Sequence, residues 1–216
     1  MQYNNNYKET TVSEIQNTQN NMDKALARIT SMEPYHCNPF DNPPELRRRA
    51  ERLLKEIESL NEDEVAKKEK IMEELFGTYN KLAFPGLGFK CDFGLNIHFH
   101  GLAVINYNVV MLDTSPINIG HGAFIGPGVC LTCAGHAIHP SQRSNVLTSA
   151  PITLEEDVWL GANVTVLGGV TIGKGSVIGA GSVVTKDIPA GVIAVGNPCK
   201  VKRKITDKDM FDDIQI

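Results

Sequence analysis

The stretch ITLEEDVWLGANVTVLGGVTIGKGSVIGAGSVVTKDIP, residues 152–189, decides the fold. Leu154, Leu160, Val166, Ile172, Ile178 and Val184 recur in it at intervals of six. Two residues before each stands Ile152, Val158, Val164, Val170, Ser176 or Ser182, all β-branched or small. Three residues after each comes Asp157, Asn163, Gly169, Gly175, Gly181 or Asp187, the residue types that best tolerate positive φ. A helix needs a period of about 3.6 and an alternating strand one of about 2. Neither produces six with a corner residue at a fixed offset. A coil of short flat β segments, each stacked on the next turn, does. The chain is therefore expected to be mainly β, a parallel β-helix whose hand the period alone does not give.

Upstream the register continues less cleanly. Ile119, Ile125 and Leu131 keep the interval, with Gly122 and Gly128 at the corners. Ile97, Ala103 and Val109 keep it as well, which puts His100 and Asn106 at the corner offset. From Val109 to Ile119 is ten residues, a slip of four around DTSP, residues 113–116. From Leu131 to Leu154 is twenty-three, one step of six with seventeen residues left over. That surplus is an excursion over 134–150, AGHAIHPSQRSNVLTSA, holding two of the six histidines. An unpatterned insertion of this length in a compact fold marks function or disorder.

In front of the coil, NPPELRRRAERLLKEIESLN (residues 42–61) reads as a helix. Asn42 is its expected cap, Pro43 fits its first turn, and Leu46, Ala50, Leu53, Ile57 and Leu60 form one apolar face. A second helix is expected over 64–76. The organisation is thus a polar extension (1–24, disordered or a packing arm), a helical region (25–80), a β-helix (81–204) and a tail (205–216).

The 216 residues carry a net charge of −4, and the basic residues are scattered apart from KVKRK at 200–204, which argues against nucleic acid as partner. No window is apolar enough for a membrane span, and the N-terminus lacks a signal peptide's apolar core. Five irregularly spaced cysteines fit free thiols in a reducing, cytoplasmic compartment. Cys130 and Cys133 form a CxxC, but no second pair stands at metal spacing, so no metal is expected.

The ladder ITLEEDVWLGANVTVLGGVTIGKGSVIGAGSVVTKDIPAGVIAVGNPCKVKR resembles the C-terminal half of the hexapeptide-repeat acyltransferases. CDFGLNIHFHG, INYNVVMLD, GPGVCLTCAGHAIHP and VTKDIP…AVGNPCKV narrow the resemblance to the maltose, galactoside and nodulation-factor O-acetyltransferases, over about residues 32–204. MEPYHCNPFD is similar to the entry of that family's N-terminal region. The resemblance implies a left-handed parallel β-helix, a homotrimer with active sites between protomers, and acetyl-CoA as co-substrate. It implies transfer of acetyl to a mono- or oligosaccharide hydroxyl by direct attack, with no acyl-enzyme.

It also implies roles for particular residues. His136 matches the general base, the group that lowers the cost of deprotonating an attacking hydroxyl. Asn106 matches a catalytic asparagine, and Asp92 and Asp113 match acceptor-side positions whose carboxylates suit sugar hydroxyls. Thr114 stands where the galactoside subgroup has a second acidic residue, which puts a galactoside acceptor in doubt. Tyr35 and Tyr107 are candidates for a sugar-facing ring. Ala162, Ala180, Thr185, Lys186, Lys200, Arg203 and Trp159 match the acetyl-CoA site, the cations meeting phosphates and the Ala162 amide meeting the thioester oxygen. Three rivals stand beside this reading: a xenobiotic or serine acetyltransferase on the same coil, a γ-carbonic-anhydrase-like metal enzyme drawing on His98, His100, His121, His136 and His139, and a non-catalytic scaffold.

Overall fold

The computed structural model describes residues 12–211. Three helices precede the coil: α1 (Val12–Ile29), α2 (Pro44–Ser59) and α3 (Val65–Leu75). Helix α1 begins within the stretch expected to be a polar extension, while residues 1–11 lie outside the described residues. Helix α2 starts later than expected. Asn42 precedes a proline and is held extended (φ −84°, ψ 128°), so Pro43 becomes the cap and Pro44 opens the helix. The Asn42 side chain instead accepts a hydrogen bond from Arg28 at 3.0 Å. None of the described helices is long and apolar enough to cross a membrane.

From Thr78 to Val195 the chain winds into a three-faced prism. The first face stacks Ile97–Phe99, Ile117–Ile119, Ile152–Leu154 and Thr171–Ile172; the second stacks Ala83–Pro85, Ala103–Ile105, Ala123–Ile125, Trp159–Leu160, Val177–Ile178 and Val192–Val195. The third stacks Lys90–Cys91, Val110–Leu112, Cys130–Thr132, Thr165–Leu167 and Val183–Val184. All these pairings are parallel. Segments this short bury little alone. Stability comes from stacking, because each turn delivers its aliphatic pair to a continuous interior column: Ile152, Leu154, Val158, Leu160, Val164 and Val166 are all at most 1% exposed. Each such side chain contributes about 1.5–3 kcal/mol relative to exposure.

Corners at Asp157, Asn163, Gly169, Gly175 and Gly181 have positive φ, as the repeat requires. Asp187 does not share that backbone; its carboxylate accepts the Thr171 amide at 2.7 Å instead. The upstream register is shifted by two from the sequence expectation. Phe99, Ile105 and Met111, rather than Ile97, Ala103 and Val109, stack on Ile119, Ile125 and Leu131. Both sets point inward, so apolarity could not tell them apart. The positive-φ corner accordingly falls on Asn108 (57°), not on Asn106 or His100. The irregularity at DTSP is then an insertion of two residues, not four, and it widens one edge of the prism.

Asp113 holds that widened edge. It is fully buried, and its carboxylate accepts the amides of Phe93 (2.8 Å), Asp92 (3.0 Å) and Asn96 (3.3 Å) in the turn before. Replacing it with Ala orphans these donors and should lower the unfolding free energy by about 2–4 kcal/mol, read from denaturant midpoints. Burial raises the Asp113 carboxyl to about 7 although the Phe93 and Asn96 amides favour the anion. An acid that ionises later when folded than when unfolded stabilises the fold at low pH, and that contribution is lost as pH rises from the ordinary carboxylate range to about 7. The stability difference between wild type and Asp113→Asn should fall over this interval; a flat difference rejects the assignment.

The helices close the open end of the prism. Leu75 is fully buried there, and Phe76 meets Phe99 and Phe89 edge-on at 5.1 and 5.8 Å. At the other end Lys200–Lys204 folds back antiparallel on Val192–Val195.

Candidate functional site

The excursion leaves the coil where the third face turns into the first. It is an ordered hairpin in which Ala134–His136 pairs with Leu147–Ser149, and Tyr35–Cys37 adds a third strand through Tyr35↔Ser149. His136 therefore sits on a strand tied to both coil and N-terminal region. Its ring is exposed, and Nδ1 lies 3.2 Å from the Arg143 carbonyl. A carbonyl only accepts, so Nδ1 carries the hydrogen and Nε2 keeps its lone pair. His139, three residues on, bonds Ser141 within the loop at 2.7 Å.

His136 lines a cavity of about 500 Å³ together with Leu147, Phe93, Thr114, Phe40 and Arg47. Asp92 lies beside it, its carboxylate 2.7 Å from Arg47 Nη2 and only 13% exposed. Burial raises the Asp92 carboxyl above its ordinary range, and Arg47 opposes that rise. Asp113 does not reach the cavity: with no exposed surface and its oxygens on backbone amides, it shapes the edge. The Tyr35 hydroxyl donates to the Thr114 carbonyl at 2.6 Å, and burial pushes it up to about 12. Tyr35 thus fastens the N-terminal strand to the edge. Thr185 and Lys186 lie on the same edge of the prism, exposed, farther along the rod.

The remaining candidates occupy another edge, where the second face turns into the third. Asn106 is half-exposed, its Oδ1 accepting the Tyr107 amide at 2.8 Å, and the Tyr107 side chain is 59% exposed. Ala162 and Ala180 follow along this edge on successive turns. A Cβ on Gly161 would come within 2.6 Å of the Ala180 nitrogen, so only a bare backbone allows so flush a wall. Among the described residues, neither the Ala162 nor the Ala180 amide donates a backbone hydrogen bond. Trp159 stands outward on the second face, 54% exposed, with Lys200 and Arg203 near the end of that face. Arg203 already grips Asp209 through two 2.7 Å bonds, which hold the Asp209 carboxyl at about 2. An incoming phosphate must compete with that carboxylate.

The two groups are separated by the third face, whose three-residue strands span roughly 10 Å. No residue of the Asn106 edge lines the His136 cavity. A single chain therefore holds the Asn106 edge and the His136 edge apart.

The other histidines are engaged separately. His98 bonds Thr78 at 3.0 Å, His100 bonds Asn118 at 3.1 Å, and His121 Nδ1 accepts the Leu102 amide at 3.2 Å. Among the described residues no three His, Cys, Asp or Glu side chains converge as a metal site. Sequence reading missed Arg47, Phe93, Leu147 and Phe40. They come from four separate segments and carry no shared spacing, so only closure of the cavity groups them.

Residues 151–186 match the bacterial transferase hexapeptide (six repeats) family model. The galactoside O-acetyltransferase of Escherichia coli K12 is 41% identical over 167 residues, covering 77% of this chain and 82% of that protein. A maltose O-acetyltransferase structure from Clostridium difficile 630 superposes with a TM-score of 0.72 at 39% identity, covering 75% of this chain and 87% of that one. A hexapeptide-repeat acetyltransferase from Vibrio cholerae O1 biovar eltor, complexed with acetyl coenzyme A, gives 0.76 at 33% identity, covering 85% and 99%.

Proposed function

The chain belongs to the hexapeptide-repeat O-acetyltransferases of the maltose, galactoside and nodulation-factor family, whose left-handed parallel β-helix it shares, and from that premise we propose how it acts. It is an acetyl-CoA-dependent O-acetyltransferase. Its acceptor is a hydroxyl of a mono- or oligosaccharide, its base is His136, and its working form is a homotrimer with three sites between protomers. The observation carrying this reading is the exposed His136 imidazole lining a cavity of about 500 Å³, its Nδ1 held by the Arg143 carbonyl.

Acetyl-CoA supplies the activated acetyl group. His136 Nε2 takes the acceptor proton as the oxygen attacks the thioester carbon, and the Arg143 carbonyl, holding Nδ1–H, steadies the imidazolium that forms. The unpaired Ala162 amide of the neighbouring protomer suits the oxygen on which negative charge builds. As the carbon–sulfur bond breaks, His136 returns the proton to the leaving sulfur. Asn106, on the same neighbouring edge, orients the reacting groups. Thr185, Lys186, Lys200 and Arg203 serve the phosphates, with Trp159 and Ala180 along the arm.

Two observations support the trimer. The Asn106 and His136 edges are apart in one chain. In addition, the second face exposes an apolar column of Phe84 (55%), Val104, Phe124 (49%), Trp159 (54%), Val177 and Ile193, the kind of stripe that protein surfaces cover by association. The five thiols, none disulfide-bonded, suit a cytoplasmic compartment.

Thiol release from acetyl-CoA, measured against hexoses, their glycosides, maltose-type disaccharides, serine and a hydroxylated xenobiotic, tests the acceptor class. Release should require a sugar. Release with serine or the xenobiotic alone would overturn the assignment.

A further inference from the structure

The hairpin ladder ends just past His136, where the Ala137 amide donates to the Val146 carbonyl at 3.2 Å. Residues 138–145, the tip beyond it, form bends and turns with no strand to hold them. Their backbone bonds are local: the Gln142 amide meets the His139 carbonyl at 3.1 Å, and the Asn145 amide meets the Gln142 carbonyl at 3.0 Å. Arg143 alone reaches back from the tip with both of its ends. Its carbonyl takes the His136 Nδ1–H at 3.2 Å, while its guanidinium donates to the Ile138 carbonyl through Nη2 at 2.7 Å and to the Ala137 carbonyl through Nε at 3.5 Å. The short bond is charge-assisted, the stronger kind. Among the described residues Arg143 has no carboxylate partner, and it does not line the His136 cavity. Its charge is spent on the backbone that directly follows His136.

Resting on His136 as the base, we infer that Arg143 is a positioning residue whose side chain fixes the tautomer and direction of the imidazole. The guanidinium pins the tip to residues 137 and 138, and the pinned tip presents its carbonyl to Nδ1. Which ring nitrogen keeps a lone pair is set by the hydrogen bond the other one makes. A histidine side chain free in water prefers its hydrogen on Nε2, and in that tautomer Nε2 accepts no proton. The Arg143 carbonyl reverses the preference and leaves Nε2 as the accepting nitrogen. Without the guanidinium only local turns restrain the tip, so the carbonyl withdraws and the ring turns and changes tautomer. A lysine offers one point charge in place of a planar fork and holds one carbonyl, not two.

The test uses the full-length enzyme, Arg143→Ala and Arg143→Lys, with a competent sugar and thiol release as readout. Arg143→Ala should lower kcat about 10- to 100-fold, part of the ~10²- to 10⁴-fold that a positioned base contributes. KM for both substrates and the denaturation midpoint should stay unchanged, and Arg143→Lys should recover part of the loss. Nitrogen-15 spectra of histidine-labelled protein read the ring itself, the His136 signals being those missing from His136→Ala. They should report Nδ1–H in wild type and move toward Nε2–H in Arg143→Ala. In the His136→Ala background, Arg143→Ala should cost nothing further, because it acts only through the ring. An equal loss in both backgrounds, a loss confined to KM, or an unmoved tautomer overturns the inference while leaving His136 as the base. Wild-type turnover in His136→Ala would overturn the base and the inference with it. Absence of any sugar turnover by wild type would overturn the acceptor class alone, since the spectra still decide whether Arg143 sets the tautomer.

Discussion

Replacing His136 with Ala lowers turnover by about 10²- to 10⁴-fold, the range set by loss of a positioned general base. The effect should fall on kcat, because the imidazole acts on a proton in flight and touches neither the carrier's phosphates nor the inner strands. Acetyl-CoA affinity should be nearly unchanged, since the carrier is held by the cations at its phosphates and by the backbone wall at Ala162 and Ala180, not by the imidazole. Folding should also be spared. His136 is exposed, and the loop keeps the Arg143 bonds to the carbonyls of Ala137 and Ile138 without it. Steady-state kinetics with a competent sugar, alongside equilibrium binding of acetyl-CoA, separates these effects. Turnover within a few-fold of wild type would remove His136 from the mechanism.

A mixture of two inactive variants regains activity. If His136 and Asn106 of one site come from different protomers, neither His136→Ala nor Asn106→Ala trimers contain an intact site. Random co-assembly restores some. A site is whole when the chain supplying the imidazole carries the Asn106 change and its neighbour carries the His136 change, so a one-to-one mixture should recover roughly a quarter of wild-type sites. Co-expression, or unfolding and joint refolding, followed by the thiol-release assay reads this directly. Simple mixing of preformed trimers is the control and should recover nothing until subunits exchange. Activity no higher than the sum of the two variants would mean that each chain holds its own complete site, contrary to the separation of the two edges. The apolar column on the second face predicts that the same preparations elute as trimers, because monomers would expose Phe84, Phe124 and Trp159 together.

The ladder from Ile152 to Val184 was legible in one dimension because a β-helix is nearly one-dimensional: each turn contacts only its neighbours, so period and corner chemistry are local properties. The excursion that carries His136 was legible for a related reason, since a seventeen-residue break is visible only against an unbroken rhythm, while the role given to His136 rests on the resemblance. Where two inward residues alternate, as at Ile97 and Phe99, the pattern carries no phase, and the register came out two residues off until stacking partners chose it. Asp113 looked like a ligand because a carboxylate at a corner carries no mark of burial; its three amide partners belong to the preceding turn.

From its sequence alone, this chain's architecture, its turn-by-turn interior and the residue types at its corners follow, since these depend on contacts between residues at fixed, repeating separations. Tertiary structure decided which distant segments meet. It brought Tyr35–Cys37 against the excursion, set Arg47 beside Asp92, and parted the His136 edge from the Asn106 edge. Such meetings depend on the direction each edge faces once the prism has closed, and no spacing along the chain encodes that direction.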